Sequence, residues 1–157
     1  MFLLQAVLAW IIATPLHAAT VSTNALNAWD ALGLALWLIG MFFQVLGDSQ
    51  LARFVAQAGN KGKVLSSGVW RYTRHPNYFG EIILWIGIAV IALPVLAGWQ
   101  WVTLVSPIFV SFLLLKVSGV PMLENNAESR WGNDPAFRKY KENTPTLIPY
   151  FGKPDLG

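Results

Sequence analysis

The stretch GVWRYTRHPNYFGEIILWIG, residues 68–87, sets two arginines, a histidine, an asparagine and a glutamate at the start of an apolar helical run. Asn77 and Glu81 stand four residues apart, as do Gln44 and Asp48 near the end of an earlier apolar run. On a helix each pair shares one face and points to a common neighbour. Carboxylates at membrane depth are costly unless they meet a polar partner or a cavity. These four residues therefore either tie helices together or hold a polar ligand, and Glu81, with no short route to water, favours the ligand. Arg71, Arg74 and His75 directly precede a helix N-terminus, where free N–H groups and the positive end of the helix dipole attract phosphate. That is the chemistry of an anion site, although arginines beside a membrane also set topology or bind lipid headgroups. The turn NKGK, residues 60–63, places Lys61 and Lys63 on either side of a glycine and within reach of the same anion.

The tail offers a second group. Glu124, Glu128, Arg130, Arg138 and Tyr140 alternate with Trp131, Phe137, Ile148, Tyr150 and Phe151. Such an amphipathic segment either lies on the membrane surface or folds over the polar mouth as a lid. With no cysteine, the chain has no disulfide, thiolate metal site or cysteine nucleophile. The two histidines, His17 and His75, fall on opposite expected sides of the membrane, so no metal site is expected.

The elements that must position these groups are apolar. Of 157 residues, 55% are hydrophobic and 12% charged, about half the charge of a soluble domain. Four apolar segments, at 2–19, 26–47, 79–97 and 99–120, are each about long enough to cross a hydrocarbon core of ~30 Å. The first also resembles a signal peptide in its small residues near PLHAAT, but no lysine or arginine precedes it. Lys and Arg are absent from residues 1–52; five fall between the second and third segments and five in the tail. The positive-inside rule then puts both chain ends and the residue 53–74 loop in the cytoplasm. Trp29, Trp99 and Trp101 mark the opposite boundary, where indoles favour the headgroup level. Pro76 suits a first helical turn, Pro121 closes the fourth segment, and Lys116 snorkels from within that end. No internal repeat or second domain is visible, so residues 1–157 form one membrane domain. The net charge of +3 is topological, and nucleic acid is not an expected partner. Composition and spacing alone thus give an all-α polytopic membrane bundle of about four transmembrane helices plus a cytoplasmic amphipathic tail. Its cytoplasmic pocket suits a large, anionic, aromatic ligand.

These residues also carry a resemblance. GDSQL, NKGKVLSSGVWRYTRHPNYFGEIILWIG, SPIFVSFLLLKVSGVPMLE and the closing NTPTLIPYF resemble the bacterial branch of the steroid 5-alpha-reductase family. Related RHPxYxG signatures occur in sterol C14-reductases and isoprenylcysteine carboxyl methyltransferases. The resemblance implies a membrane-embedded reductase that delivers hydride from NADPH to a C=C bond of a hydrophobic enone. Carried over by position, it implies that Gln44 and Asp48 bond the nucleotide, that Arg53, Lys61 and Lys63 lie near its phosphates, and that Tyr72 lines the pocket. Asn77 would meet the nicotinamide amide and Glu81 would stand beside the nicotinamide as the candidate catalytic residue. Arg74, His75 and Tyr78 complete the mouth, and Glu124, Arg130 and Tyr140 belong to the tail that covers the cofactor. A dry bilayer cavity suits hydride transfer to a polarised carbonyl conjugate and admits a lipid-like substrate sideways.

Family members usually have about seven transmembrane helices, and this chain matches the last four. The expectation is a truncated gene product, a fragment or half of a split protein, with the carbonyl-polarising acid missing from this chain and a partner supplying the N-terminal helices. Two alternatives stay open. An S-adenosylmethionine-dependent membrane methyltransferase would use the same mouth, although GDSQL and VSGVP look like the reductase branch. A noncatalytic membrane fragment would use the polar cluster only to tie helices. The expected location is a multi-pass position in a bacterial inner membrane, with both termini cytoplasmic.

Overall fold

The computed structural model describes residues 2–20 and 25–152. Among these residues six α-helices follow in chain order: α1 Phe2–Thr20, α2 Ala28–Ala56, α3 Pro76–Ala92, α4 Val105–Phe112, α5 Val120–Trp131 and α6 Pro135–Asn143. Among the described residues there is no strand. Three helical stretches, Ala28–Ala56, Pro76–Val95 and Gly98–Trp131, are long and apolar enough to cross a membrane, and α1 is a shorter apolar helix beside them.

Helix α2 starts with a reciprocal cap. Asn27 Oδ1 accepts from Trp29 N at 2.8 Å, and Asp30 Oδ2 accepts from Asn27 N at 2.8 Å, which satisfies donors that helix geometry leaves free. The helix runs past the apolar limit at residue 47 because DSQLARFVA contains no breaker, and it stops only at the glycine turn that follows. At roughly 1.5 Å per residue its length exceeds a hydrocarbon core.

Helices α2 and α3 run antiparallel and touch backbone to backbone. Gly33, Gly40 and Gly47, seven residues apart, face Gly87, Gly80 and the Pro76–Asn77 turn. A Cβ on Gly40 would lie 2.5 Å from Leu84 N and 2.6 Å from Gly80 O. No side chain fits there, so glycine at these positions sets the interhelical distance. Helix α1 crosses the far ends of α3 and α4, where Ala18 packs on Ala92 and Leu96 and Ser106 Oγ donates to Ile12 O at 2.5 Å.

The fourth apolar segment, expected as one helix over 99–120, is instead a composite. A 3-10 stretch, Gly98–Leu104, leads into α4, and a π turn, Leu113–Val117, follows it. Ser118 N reaches back to Leu113 O at 2.9 Å, an i→i−5 closure that accommodates the break at Ser118–Gly119. Pro107 and Pro121, each within the first turns of a helix, keep the segment from continuing as one ladder. Lys116 is exposed on the π turn. Large hydrophobic side chains such as Leu38, Phe42 and Ile108 are more than half exposed, as expected of surfaces that face lipid. The chain is an integral membrane protein.

Candidate functional site

The antiparallel glycine seam brings the two polar pairs into register. Gln44 Nε2 donates to Glu81 Oε2 at 2.5 Å, and Asn77 Nδ2 donates to Asp48 Oδ1 at 3.0 Å. Each pair lies four residues apart on its own helix, so antiparallel packing matches the first of one to the second of the other. The second oxygen of Glu81 accepts from Trp85 Nε1 at 2.9 Å. Trp85 was not singled out in the sequence, although its i+4 spacing from Glu81 was the available signal. Asn77 Oδ1 is buried with no protein partner. Asp48 is exposed, while Gln44, Asn77 and Glu81 are half-buried.

One helical turn away, Arg74 anchors a different structure. Its Nε and one terminal nitrogen form a fork on Glu124 at 3.0 and 2.9 Å. The same terminal nitrogen donates to Thr146 Oγ1 at 2.8 Å, and the other donates to the carbonyls of Lys141 and Thr144 at 2.7 Å each. All five guanidinium donors thus have protein acceptors. The sequence reading placed Arg74 at a phosphate; in this fold it has no N–H left to give one. Helix α5 supplies Glu124, the last turn of α6 supplies the Lys141 carbonyl, and the segment after it supplies Thr144 O and Thr146 Oγ1.

His75 Nε2 lies 2.9 Å from Glu124 Oε1, the oxygen that also accepts from Arg74 Nε. His75 is buried, its Nδ1 has no protein partner, and its ring stacks on Tyr78 at 5.6 Å between centroids. The tail is held as a cover by further bonds: Arg74 N to Pro145 O and Tyr150 N to Tyr72 O, each 2.9 Å, and Thr73 Oγ1 to Leu147 O at 2.8 Å. Tyr72 lies under it with its ring 5.2 Å from that of Phe151. Residues 144–151 of the tail thus lie against the residue 72–74 loop.

Trp70 joins these parts. Its Nε1 donates to Gly47 O at 3.0 Å, and its own carbonyl accepts from Tyr140 Oη at 2.7 Å. Burial pushes the Tyr140 phenol well above the usual tyrosine range; Arg74 opposes that rise and Glu124 adds to it. A cavity of about 230 Å³ opens beside this cluster, with Phe54, Lys63, Trp70, His75, Glu124 and Phe137 among its walls. Lys61 and Lys63 flank Gly62, whose φ of 82° makes the turn and whose carbonyl accepts from Trp131 Nε1 at 2.6 Å. Arg53, Lys61, Lys63 and Arg130 are exposed, and the Arg130 guanidinium lies 5.9 Å from the centroid of the Trp131 ring. The expected residues therefore divide into a seam (Gln44, Asp48, Asn77, Glu81), a clasp (Arg74, His75, Glu124, Tyr140, with Tyr78 and Tyr72 against it) and a set of exposed cations.

A family described as "Protein of unknown function (DUF1295)" matches residues 1–144, which include every one of these positions. The chain belongs to this family. It is also similar to steroid 5-alpha-reductases. The rat 3-oxo-5-alpha-steroid 4-dehydrogenase 1 is 29% identical over 119 residues, covering 75% of this chain and 40% of the relative. Its bovine counterpart is 38% identical over 70 residues, covering 44% of this chain and 26% of the relative. The cotton (Gossypium hirsutum) steroid 5-alpha-reductase DET2 is 34% identical over 70 residues, covering 45% of this chain and 25% of the relative. The DUF1295 chain thus spans two-fifths or less of these relatives' length. No solved structure matches it. Seam and clasp together are the polar centre of a helical membrane chain that is similar in sequence to steroid 5-alpha-reductases.

Proposed function

We propose that this chain forms the cofactor-facing part of a membrane-embedded reductase that uses NADPH to saturate a C=C bond of a hydrophobic enone. The observation that carries the reading is the seam: two amide–carboxylate pairs set by a glycine contact, in a chain similar to steroid 5-alpha-reductases. The residues suit a nicotinamide group in one specific respect. Asn77 Oδ1 is a buried acceptor without a partner, which a carboxamide N–H would satisfy.

NADPH, when bound, would supply the hydride, and the protein would supply position and exclusion of water. Asn77 would orient the carboxamide while Asp48 holds the Asn77 amide in place. Glu81, fixed by Gln44 and Trp85, would present a carboxylate beside the ring, and the tail held by Arg74 would close the water-facing side. Lys61, Lys63 and Arg53, exposed and cationic, are better placed than Arg74 to meet phosphates. The cavity of about 230 Å³ is lined by the clasp and not by the seam, so the nicotinamide would lie against the exposed side of the seam and the rest of the dinucleotide would extend along the surface toward these cations.

The exposed side of the seam would be covered by further membrane helices, in this or a partner polypeptide, because half-exposed carboxylates facing lipid are costly. The hydrophobic substrate would enter from the bilayer. The charge asymmetry supports an orientation with both termini cytoplasmic, and the membrane proposed is a bacterial inner membrane.

Calorimetric titration of the detergent-purified chain with NADPH and, separately, S-adenosylmethionine tests this. Saturable NADPH binding is expected, weakened by about 1–3 kcal/mol in Asn77→Ala through loss of a buried polar partner. Binding of S-adenosylmethionine in its place, or unchanged NADPH affinity in a folded Asn77→Ala protein, would refute the assignment.

A further inference from the structure

At the end of the bundle remote from the clasp, a groove of about 350 Å³ opens between α1 and the 3-10 stretch Gly98–Leu104. Trp10, Thr14, His17, Trp99, Gln100 and Thr103 line it. Trp10 is 65% and Trp99 81% exposed, so two indoles flank the groove without being packed into the protein. Thr103 at its floor is 7% exposed, and its hydroxyl has no protein partner. Gln100 commits its carbonyl oxygen to Ala97 N at 2.9 Å, which leaves its NH₂ group as the side chain's donor.

Donors predominate in the polar lining. Indole N–H groups only donate, the Gln100 NH₂ donates, the unpartnered Thr103 hydroxyl has a proton to donate, and His17 carries at least one N–H; Thr14 alone has spent its proton, on Ile11 O at 2.7 Å. No carboxylate lines the groove. The complementary ligand is rich in acceptors and carries no requirement for a cationic group. Indoles pair apolar surface with a donor and settle at the headgroup level of a bilayer. Val102 and Val105, exposed on the adjoining segment, add apolar surface next to this donor set.

We propose that this groove is a phospholipid site that seats the phosphate and ester oxygens of one lipid between Trp10 and Trp99, with Gln100 and Thr103 as donors and the acyl chains along α4. The site is independent of the seam and of any reductase activity. A bound lipid would fix α1, which among the described residues meets the rest of the bundle through Ala18 and Ala19 and through the Ser106–Ile12 hydrogen bond.

The test is retention of defined lipid by the full chain in detergent, read by native mass spectrometry. Phosphatidylglycerol is compared with diacylglycerol of the same acyl chains, which lacks the phosphate. One phosphatidylglycerol molecule per chain is expected, in preference to diacylglycerol. Trp99→Ala and Thr103→Val should each lower retention roughly fivefold, the effect of losing about one hydrogen bond, while Leu34→Ala, on the exposed face of α2, should not. Trp99 is so exposed that its variant will fold, and it decides the matter alone if Thr103→Val does not. Equal retention of the two lipids, or full retention by a folded Trp99→Ala protein, overturns the proposal. Displacement of the lipid by inorganic phosphate assigns the groove to a free anion instead and overturns it as well.

Discussion

Removing the carboxylate of Glu124 should release the tail, and the size of the effect follows from its contacts. The Arg74 and Glu124 side chains are 12% and 21% exposed, so the pair is mostly desolvated. Glu124→Ala deletes the two-pronged contact to Arg74 and the contact to His75, and leaves a guanidinium facing an empty site. Breaking such a pair costs about 3–5 kcal/mol. Arg74 retains its three tail acceptors, which places the expected loss near the low end, about 3 kcal/mol. Glu124→Gln keeps one acceptor oxygen and should lose about 2 kcal/mol. Arg74→Ala also severs the three tail contacts and should cost more than Glu124→Ala. Arg74→Lys should not rescue it, because an ammonium cannot reproduce the planar fork.

The decisive measurement is a double-mutant cycle. In Arg74→Met with Glu124→Leu neither charge is left buried alone, so the double variant should be more stable than the sum of the single losses by about 2 kcal/mol. Thermal unfolding in detergent micelles gives the energies, and limited proteolysis after Asn143 reports release of the tail. Additivity within about 0.5 kcal/mol, or a tail equally resistant in Glu124→Ala, would refute the reasoning.

Three other outcomes are expected. Gly40→Ala should destabilise the bundle by about 1–3 kcal/mol, since its Cβ would overlap Leu84 N and Gly80 O, whereas Gly59→Ala, with nothing within 4 Å, should be neutral; paired thermal melts check both. Tyr140 keeps its proton in the fold beyond the pH at which an unfolded tyrosine loses it, so its stabilisation is complete below about pH 10 and falls as pH rises above that. The wild-type chain should therefore lose more stability than Tyr140→Phe between neutral and strongly alkaline pH, and equal slopes would remove this role. Trp70→Phe, which deletes the donor to Gly47 O, should cost about 1 kcal/mol and loosen the residue 68–75 loop, read as faster hydrogen exchange there.

Much of the fold was legible because a bilayer imposes few solutions. Apolar length named the spanning segments, the four-residue spacings put Gln44 with Asp48 and Asn77 with Glu81 on shared faces, and Pro76 marked the start of α3. These are local properties of a helix and need no knowledge of neighbours. The extent of α2 to Ala56 and the composite form of the fourth segment were not legible, since hydropathy reports the membrane boundary and not where a hydrogen-bond ladder ends.

The partners in the polar centre were decided by tertiary structure. Arg74 and Lys63 look alike in sequence as cations of one loop, yet Arg74 lies where Glu124, 50 residues away, and the carbonyls at the end of α6 converge, while Lys63 stays exposed. A guanidinium has five fixed donors, and only a folded tail can bring five acceptors to it. The register that pairs Gln44 with Glu81 and Asp48 with Asn77 depends likewise on glycines that let two backbones touch. Sequence by itself determined which residues share a helix face; only the packed fold decided which face each one meets, because hydrogen bonds between helices are set by a distance that no single helix contains.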